Sequence, residues 1–461
     1  MSAQTKKKKT GFWNMLDNLE GDKVIWMIVL ILIMSSILAV SSSTSLLAIQ
    51  QKSSRMSFAM EQVVMAGASL CIIVCCYKIG KIGFFRFFSR YGFLISFMML
   101  AFLASHFNKI SFFKPVSINK AWRCISIFGF QLHVFEFVKV FMVMYIAWAM
   151  DALKTGRTEL ADKLAKKQHL HVLAKPWAKV CFYVIAPIII TTLLIALGSN
   201  SSAMFIGAVM IVTALVGGLD FKYILGLAAV GALGALFIIG TYNLSGGKVF
   251  ERFGLIYHRF MLASADPLKR LHELKPGTLE FQKVLDETMQ PVSAKVAVSE
   301  GGLLGKGPGN STQRYVVSVM YEDYIFSFIV EEYGILGALV ILILYGSLLA
   351  RGSIIVRNCD NHYAKTMISG MVILVSGQAL MHILINVDLF PLTGQTLPMI
   401  SHGNSSFLAF SLVFGVILSV SKMAKKKIEQ ETAAAEPIFV KNDEIKDGLD
   451  DLDELESSEL Q

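Results

Sequence analysis

Hydrophobic residues along this chain gather into long blocks separated by short polar stretches. A block of roughly 18–24 mostly apolar residues has the length a helix needs to cross the hydrocarbon core of a bilayer. Ten such blocks are predicted as transmembrane helices, at about 24–47, 57–78, 91–107, 132–150, 179–198, 203–218, 222–242, 324–349, 365–387 and 404–421. Only the polar patch Gly198-Ser-Asn-Ser-Ser202 divides the fifth block from the sixth. Fusing the two would make the count odd and place the termini on opposite sides of the membrane.

Lysine and arginine then orient the spans, because cytoplasmic loops carry the excess of positive charge. Lys6–Lys9 precede the first span, and Lys78, Lys81, Arg86 and Arg90 precede the third. Lys154, Arg157, Lys163, Lys166, Lys167, Lys175 and Lys179 follow the fourth. Arg351, Arg357 and Lys365 flank the loop after the eighth, and Lys422 with Lys425–Lys427 follow the tenth. All these lie on one side when both termini are cytoplasmic and the count is even. Lys109, Lys114, Lys120 and Arg123 are the exception, four cations in an outside loop. The expected fold is therefore an all-α polytopic membrane protein of ten helices, with a large extracytoplasmic loop, 243–323, between the seventh and eighth.

Composition agrees. The chain has 461 residues, 54% of them hydrophobic, and a mean hydropathy of +0.58, which excludes an ordinary soluble globule. Three units are expected: a basic cytoplasmic N-terminus over 1–23, a membrane domain over 24–421, and a cytoplasmic tail over 422–461. The tail carries 12 acidic against 6 basic residues and reads as disordered. The first span is too long for a signal-peptide core and reads as an anchor. The six cysteines show no disulfide or zinc spacing, and those within spans read as small apolar packers.

Candidate chemistry sits mainly outside. Asp323 ends the 243–323 loop just ahead of Tyr324-Ile-Phe-Ser-Phe-Ile-Val, and a carboxylate at the rim of an apolar block is costly unless it has a use. A loop of this length favours function over simple connection. It holds Arg252, His258, Arg259, Lys269, Arg270, Lys275, Lys283, Lys295, Lys306 and Arg314, a basic set suited to a pyrophosphate-linked substrate. Solvated surface charge accounts for most such lysines. The run Gly301-Gly-Leu-Leu-Gly-Lys-Gly-Pro-Gly309 can expose amides to an anion, but it is no Walker loop and reads equally as a flexible turn. Glu136 and Lys139 lie three apart on one face of the fourth span, as a buried ion pair or the wall of a polar cavity. Glu331 follows Asp323 two turns on, with Ser327 between them. His382 and Asn386 stand at i,i+4 in the ninth span. The segment Pro391–Ser406, with two prolines, reads as a re-entrant turn that could wall a substrate groove.

Three ordered motifs carry a resemblance. They are Ala297-Val-Ser-Glu-Gly-Gly-Leu-Leu-Gly-Lys-Gly-Pro-Gly-Asn-Ser311, Asp323-Tyr-Ile-Phe with Glu331-Glu-Tyr-Gly334, and Pro391-x-Thr-Gly-x-x-Leu-Pro398-x-Ile-Ser401-x-Gly-x-Ser-Ser406. The chain resembles, from about Gly21 to Ser421, the SEDS family of ten-span peptidoglycan glycosyltransferases, which acts in shape, elongation, division and sporulation. Gly21-Asp-Lys-Val-Ile-Trp26 and the acidic tail look like the division branch. The resemblance implies polymerisation of lipid II with undecaprenyl pyrophosphate as leaving group, at the bacterial inner membrane and the division septum. It places the catalytic base on Asp323 and substrate contacts on Arg259, Lys306, Asn310, Gln313, Thr393, Ser401, Ser405, Asn119, Arg123, Glu136 and Lys139. It also implies a class B penicillin-binding protein and other division proteins as partners, and leaves room for a divalent cation, Mg or Mn. Departures mark a divergent member: His133-Val-Phe-Glu136, Ser199-Asn-Ser-Ser-Ala203, Tyr321-Glu322 and Ser401-His402-Gly403-Asn404 replace the usual motifs. A lipid II flippase, or a scaffold without catalysis, are the alternatives.

Overall fold

A computed structural model describes residues 20–105, 113–118, 121–128, 130–166, 171–244, 274–317 and 319–425. Among them, seven helices are long and apolar enough to cross a membrane. These are α1 (Lys23–Ser43), α3 (Arg55–Ile79), α4 (Ile82–Ala104), α7 (Pro176–Ala196), α11 (Ile325–Arg357), α12 (His362–Asn386) and α13 (Asn404–Lys425). Three more helices interleave with them: α5 (Val134–Thr155), α8 (Asn200–Val216) and α9 (Phe221–Leu244). Shorter pieces are α2 (Ser45–Gln50) and α6 (Glu159–Ala165), and α10 (Leu279–Gly301) precedes the Gly-rich run.

The helix ends follow local chemistry. Asp22 caps α1, accepting from the backbone N–H of Val24 at 2.9 Å and of Ile25 at 3.2 Å. Asn361 caps α12 in the same way. Gly80 and Gly156 take left-handed conformations that stop α3 and α5. The polar patch at 198–202 does separate two helices, with Ser199 capping α8. Helix α5 runs through the centre, packed against α4, α8 and α12, and most of its residues are buried. Phe407, Phe410 and Phe414 of α13 fill the same core.

The expectation of an all-α fold needs one correction. The segment after α4 forms a three-stranded antiparallel sheet, β1 (Phe113–Ile118), β2 (Ala121–Ile127) and β3 (Phe130–His133). Its sequence is rich in β-branched and aromatic residues, and successive side chains of a strand point to opposite faces. Cys124 and Ile125 are neighbours on β2 and both are buried, so the strand is covered on both faces, with α4 and α5 beside it. Part of the cationic loop is thus a rigid platform leading directly into α5.

Helix α11 carries a break. Gly334 lies at φ +68° and ψ −167°, and the Gly-rich run packs into the gap. A Cβ on Gly334 would stand 2.3 Å from the Leu303 carbonyl oxygen, so only glycine lets the two backbones meet.

Candidate functional site

Asp323 sits in a tight turn immediately before α11. Its backbone N–H and that of Glu322 both donate to the carbonyl of Val319, each at 3.1 Å. The three carbonyls that follow are each held from a different direction. The Tyr321 carbonyl accepts from the backbone N–H of His402 at 2.9 Å. The Glu322 carbonyl accepts from Ser401 Oγ at 2.8 Å. The Asp323 carbonyl accepts from Asn386 Nδ2 at 3.0 Å. Two of these partners come from the segment 391–406 and the third from the C-terminal end of α12, so the turn is fixed before any substrate arrives.

The side-chain surroundings are part dry and part cationic. Burial pushes the Asp323 carboxyl up to about 6, while the Arg123 guanidinium pulls it the other way. Burial, and then the charge of Asp323, push Glu322 up to about 8. Gly394 passes close to the carboxylate: a Cβ there would lie 4.0 Å from Asp323 Oδ2. Arg123 is held on β2 by a bond from Nε to the Gly198 carbonyl at 3.1 Å.

The remaining candidates are placed as follows. Ser401 is buried and also accepts from the Leu397 N–H at 2.8 Å. Ser405 ties α13 to the sheet, accepting from His133 N–H at 2.9 Å and donating to the Gln131 carbonyl at 3.1 Å. Thr393 Oγ1 is buried with no hydrogen-bond partner. Glu136 and Lys139 pair at 2.7 Å, and the lysine, 1% exposed, also donates to Gln378 Oε1 at 2.6 Å. Gln378 passes the link to the segment 391–406, donating to the Thr396 carbonyl at 2.8 Å. Asn119 and Arg259 lie outside the described residues.

Lys306, Asn310 and Gln313 form a separate group around Glu331. Lys306 Nζ reaches Glu331 Oε1 at 2.8 Å and also pairs with Glu300, so its charge is already matched. Gln313 donates its N–H to Glu331 at 3.3 Å, and Asn310 Nδ2 donates to the Lys306 carbonyl at 3.0 Å. The amides of the Gly-rich run are likewise engaged. Lys306 N–H donates to the Glu331 carbonyl, Gly307 N–H to the Glu332 carbonyl and Gly309 N–H to Glu332 Oε1, at 2.9, 3.0 and 2.9 Å. The run that resembled an anion cradle docks onto the broken helix. Glu331 thus faces this docking knot, while Ser327, one turn after Asp323, bonds to Asn386.

Residues that sequence reasoning left aside complete the site. Gln62 of α3, Gln378 of α12 and Ser36 of α1 are buried amides and hydroxyls inside apolar blocks. Their unusual polarity is the only signal the sequence offers for them. Among the described residues, no group of three or more His, Cys, Asp or Glu side chains converges to hold a metal ion.

Comparison with known proteins matches this arrangement. The FtsW/RodA/SpoVE family profile, described as a cell cycle protein, covers residues 22–426. The chain is 25% identical over 308 residues to "Probable peptidoglycan glycosyltransferase FtsW" of Bacillus subtilis, covering 67% of this chain and 68% of that one. It is 34% identical over 134 residues to the protein of the same description in Caulobacter vibrioides, 29% of this chain and 34% of the relative. Among solved structures, a chain of a peptidoglycan synthase complex superposes with a TM-score of 0.60 at 17% identity, covering 88% of this chain and 98% of that one. RodA of Thermus thermophilus gives 0.54 at 18% identity, over 88% and 98%. With a family profile spanning nearly its whole described length, this chain belongs to the FtsW/RodA/SpoVE family of cell cycle proteins.

Proposed function

We propose that the chain is a peptidoglycan glycosyltransferase that polymerises lipid II during septal wall synthesis, with Asp323 as general base. The observation that carries this reading is the carboxylate at the start of an apolar helix, in a turn clamped through the carbonyls of Tyr321, Glu322 and Asp323, with burial raising its pKa to about 6. A base with that value is ionised at neutral pH yet basic enough to accept a proton, and positioned base catalysis supplies about 10²–10⁴-fold.

In this mechanism Asp323 takes the proton from the acceptor's sugar hydroxyl. The freed oxygen pair attacks the anomeric carbon of the donor strand, and the bond to undecaprenyl pyrophosphate breaks with its electrons on the departing phosphate. Arg123, whose charge acts on the Asp323 carboxyl, is a cation placed to meet the leaving pyrophosphate. Arg259 is a further candidate from the outer loop. Lys306 acts at a distance, holding the Gly-rich run. Thr393, with its free hydroxyl, and Gly394 form the wall that meets the sugar. Ser401 and Ser405 shape that wall, and the Glu136–Lys139–Gln378 chain supports it from within the bundle.

The same reading takes α1, α3, α4, α5, α7, α8, α9, α11, α12 and α13 as ten spans in the inner membrane. Both termini, the acidic tail among them, lie in the cytoplasm, and Asp323 lies outside. The division septum is its site of action. A class B penicillin-binding protein would crosslink the strand. The solved relative's place in a synthase complex for polymerisation and crosslinking supports that partnership. A flippase reading has weaker support, since Glu136, Lys139, His382 and Asn386 are bonded to neighbouring protein groups.

The test is glycan formation from fluorescent lipid II in proteoliposomes. Wild type should make polymer and Asp323→Asn should make none. Polymer from Asp323→Asn would remove the base assignment. Leaflet exchange without polymer from wild type would favour the flippase.

A further inference from the structure

Ser36, Gln62 and His402 are distant in sequence, on α1, α3 and the turn before α13, yet they form one ring. Gln62 is 1% exposed within an apolar helix. An amide buried among hydrocarbon is costly unless both its ends are bonded. Both are. Gln62 Nε2 donates to Ser36 Oγ at 2.7 Å, and Gln62 Oε1 accepts from His402 Nδ1 at 3.0 Å. Ser36 Oγ donates in turn to the Ile400 carbonyl at 2.7 Å, which closes the ring through residues 400–402.

The ring clasps a strained turn. Met399 lies at φ +60°, in the left-handed region that a non-glycine residue occupies only when its surroundings force it. It is 1% exposed, so the strain is locked inside the bundle. Tyr345 donates its hydroxyl to the Pro398 carbonyl, and Leu397 N–H bonds to Ser401 Oγ, so the turn is gripped from several sides. This turn delivers Ser401 Oγ and the His402 N–H to the carbonyls of Glu322 and Tyr321. The His402 ring stands edge-on to Tyr321, with centroids 5.7 Å apart, and to Phe58 at 6.4 Å.

We propose that Gln62, acting through His402, is a positioning residue that keeps the 398–402 turn in its strained form and so holds the Asp323 carboxylate aimed and shielded from water. The inference rests on Asp323 being the polymerase base. The charged group facing His402 is Glu61 of α3, which also accepts from Asn404 Nδ2 at 2.8 Å. Burial lowers the His402 pKa below the usual imidazole value, while the Glu61 charge pulls it up. Around Asp323 the titratable neighbours are Tyr321, Glu322 and Tyr324 on its own segment and Arg123 from β2.

The experiment is lipid II polymerisation by the full-length protein as a function of pH, with amide hydrogen exchange over residues 398–402 and 319–323. Gln62→Leu removes both amide bonds. His402→Phe keeps the ring packing and removes only the donor, and His402→Gln restores a donor. Gln62→Leu and His402→Phe should each lower kcat about tenfold, with KM changed less than about twofold, because misaimed catalytic groups cost rate rather than binding. The ascending limb of the rate should move from near pH 6 toward the ordinary carboxylate value as water reaches Asp323, and exchange at 398–402 should quicken. His402→Gln should recover most of the rate and the limb. Unchanged kcat, or a loss of kcat with limb and exchange unmoved, overturns the proposal. Should Gln62→Leu not fold, His402→Phe carries the test. If Asp323→Asn is inactive while these variants match wild type, only this inference falls. If Asp323→Asn still polymerises, the base assignment falls first.

Discussion

Asn386 holds Asp323 by its carbonyl. The amide Nδ2 of Asn386 donates to the Asp323 backbone oxygen at 3.0 Å, and its own oxygen accepts from Ser327 N–H at 2.9 Å and Ser327 Oγ at 2.8 Å. One side chain of α12 therefore fixes both the last residue of the turn and the first turn of α11. Asn386→Leu leaves the buried Ser327 N–H unpaired, at a cost of about 1–3 kcal/mol, while the Ser327 hydroxyl keeps the residue-386 backbone carbonyl at 3.3 Å. The expected result is a lower melting temperature together with a polymerisation rate down by about tenfold. Asn386→Asp keeps the acceptor for Ser327 but buries a carboxylate against the Asp323 and His382 carbonyls, so it should recover neither stability nor rate.

The proposed role of Asp323 as the base predicts an acid limb in the pH–rate profile. The carboxylate form is the active one, and burial places its pKa near 6, so kcat/KM should rise as pH passes through about 6 and level off above it. A limb near 4 would mean that Asp323 is solvated during turnover.

Glu322 sets a stability trend of its own. Its carboxyl is raised from an ordinary value to about 8 on folding. A carboxyl raised in this way contributes stability that is complete below its unfolded pKa and is lost as pH rises through its folded pKa. The wild-type melting temperature should therefore fall as pH passes from the ordinary Glu range, about 4, to about 8. Glu322→Gln should flatten that decline and exceed wild type at pH 9. A parallel decline in the variant would show that Glu322 is not its source.

Lys306 should act on stability before substrate. Its amine matches Glu331, whose side chain is 0% exposed, and breaking a buried pair from one side costs about 3–5 kcal/mol. The lysine is 24% exposed, so Lys306→Met should fall toward the lower end of that range, read as a drop in melting temperature. The KM for lipid II should stay close to wild type. A raised KM with an unchanged melting temperature would return Lys306 to the substrate.

Gly334 offers a steric test of the docked Gly-rich run. Gly334→Ala combines positive φ with a Cβ 2.3 Å from the Leu303 oxygen, so the run cannot stay seated. Protease sensitivity across 301–312 should rise and activity should fall, since the strain of such a residue costs at least about 1–3 kcal/mol.

Much of this was legible in the chain because membrane insertion depends on local quantities. Span lengths, the break at 198–202 and the position of Asp323 at a span's edge all follow from runs of apolar residues and from where charge is allowed. The sheet at 113–133 was hidden, since the segment's cations marked it as a loop and its strand pairing is non-local. The Gly-rich run showed flexibility and free amides, but not that Glu331 and Glu332 take those amides.

The sequence by itself determined that this is a membrane protein, that its apolar blocks form long helices and that Asp323 stands at the start of one of them. Hydrophobic length and the cost of buried charge act within one segment, so they need no partner to be read. Only the tertiary structure decided how Asp323 is held, because its three carbonyl clamps come from His402, Ser401 and Asn386, between 63 and about 80 residues away. It also decided that Gln62 belongs to the site. Hydrogen bonds of that reach form only after the helices pack, and no local pattern records which polar group will meet which.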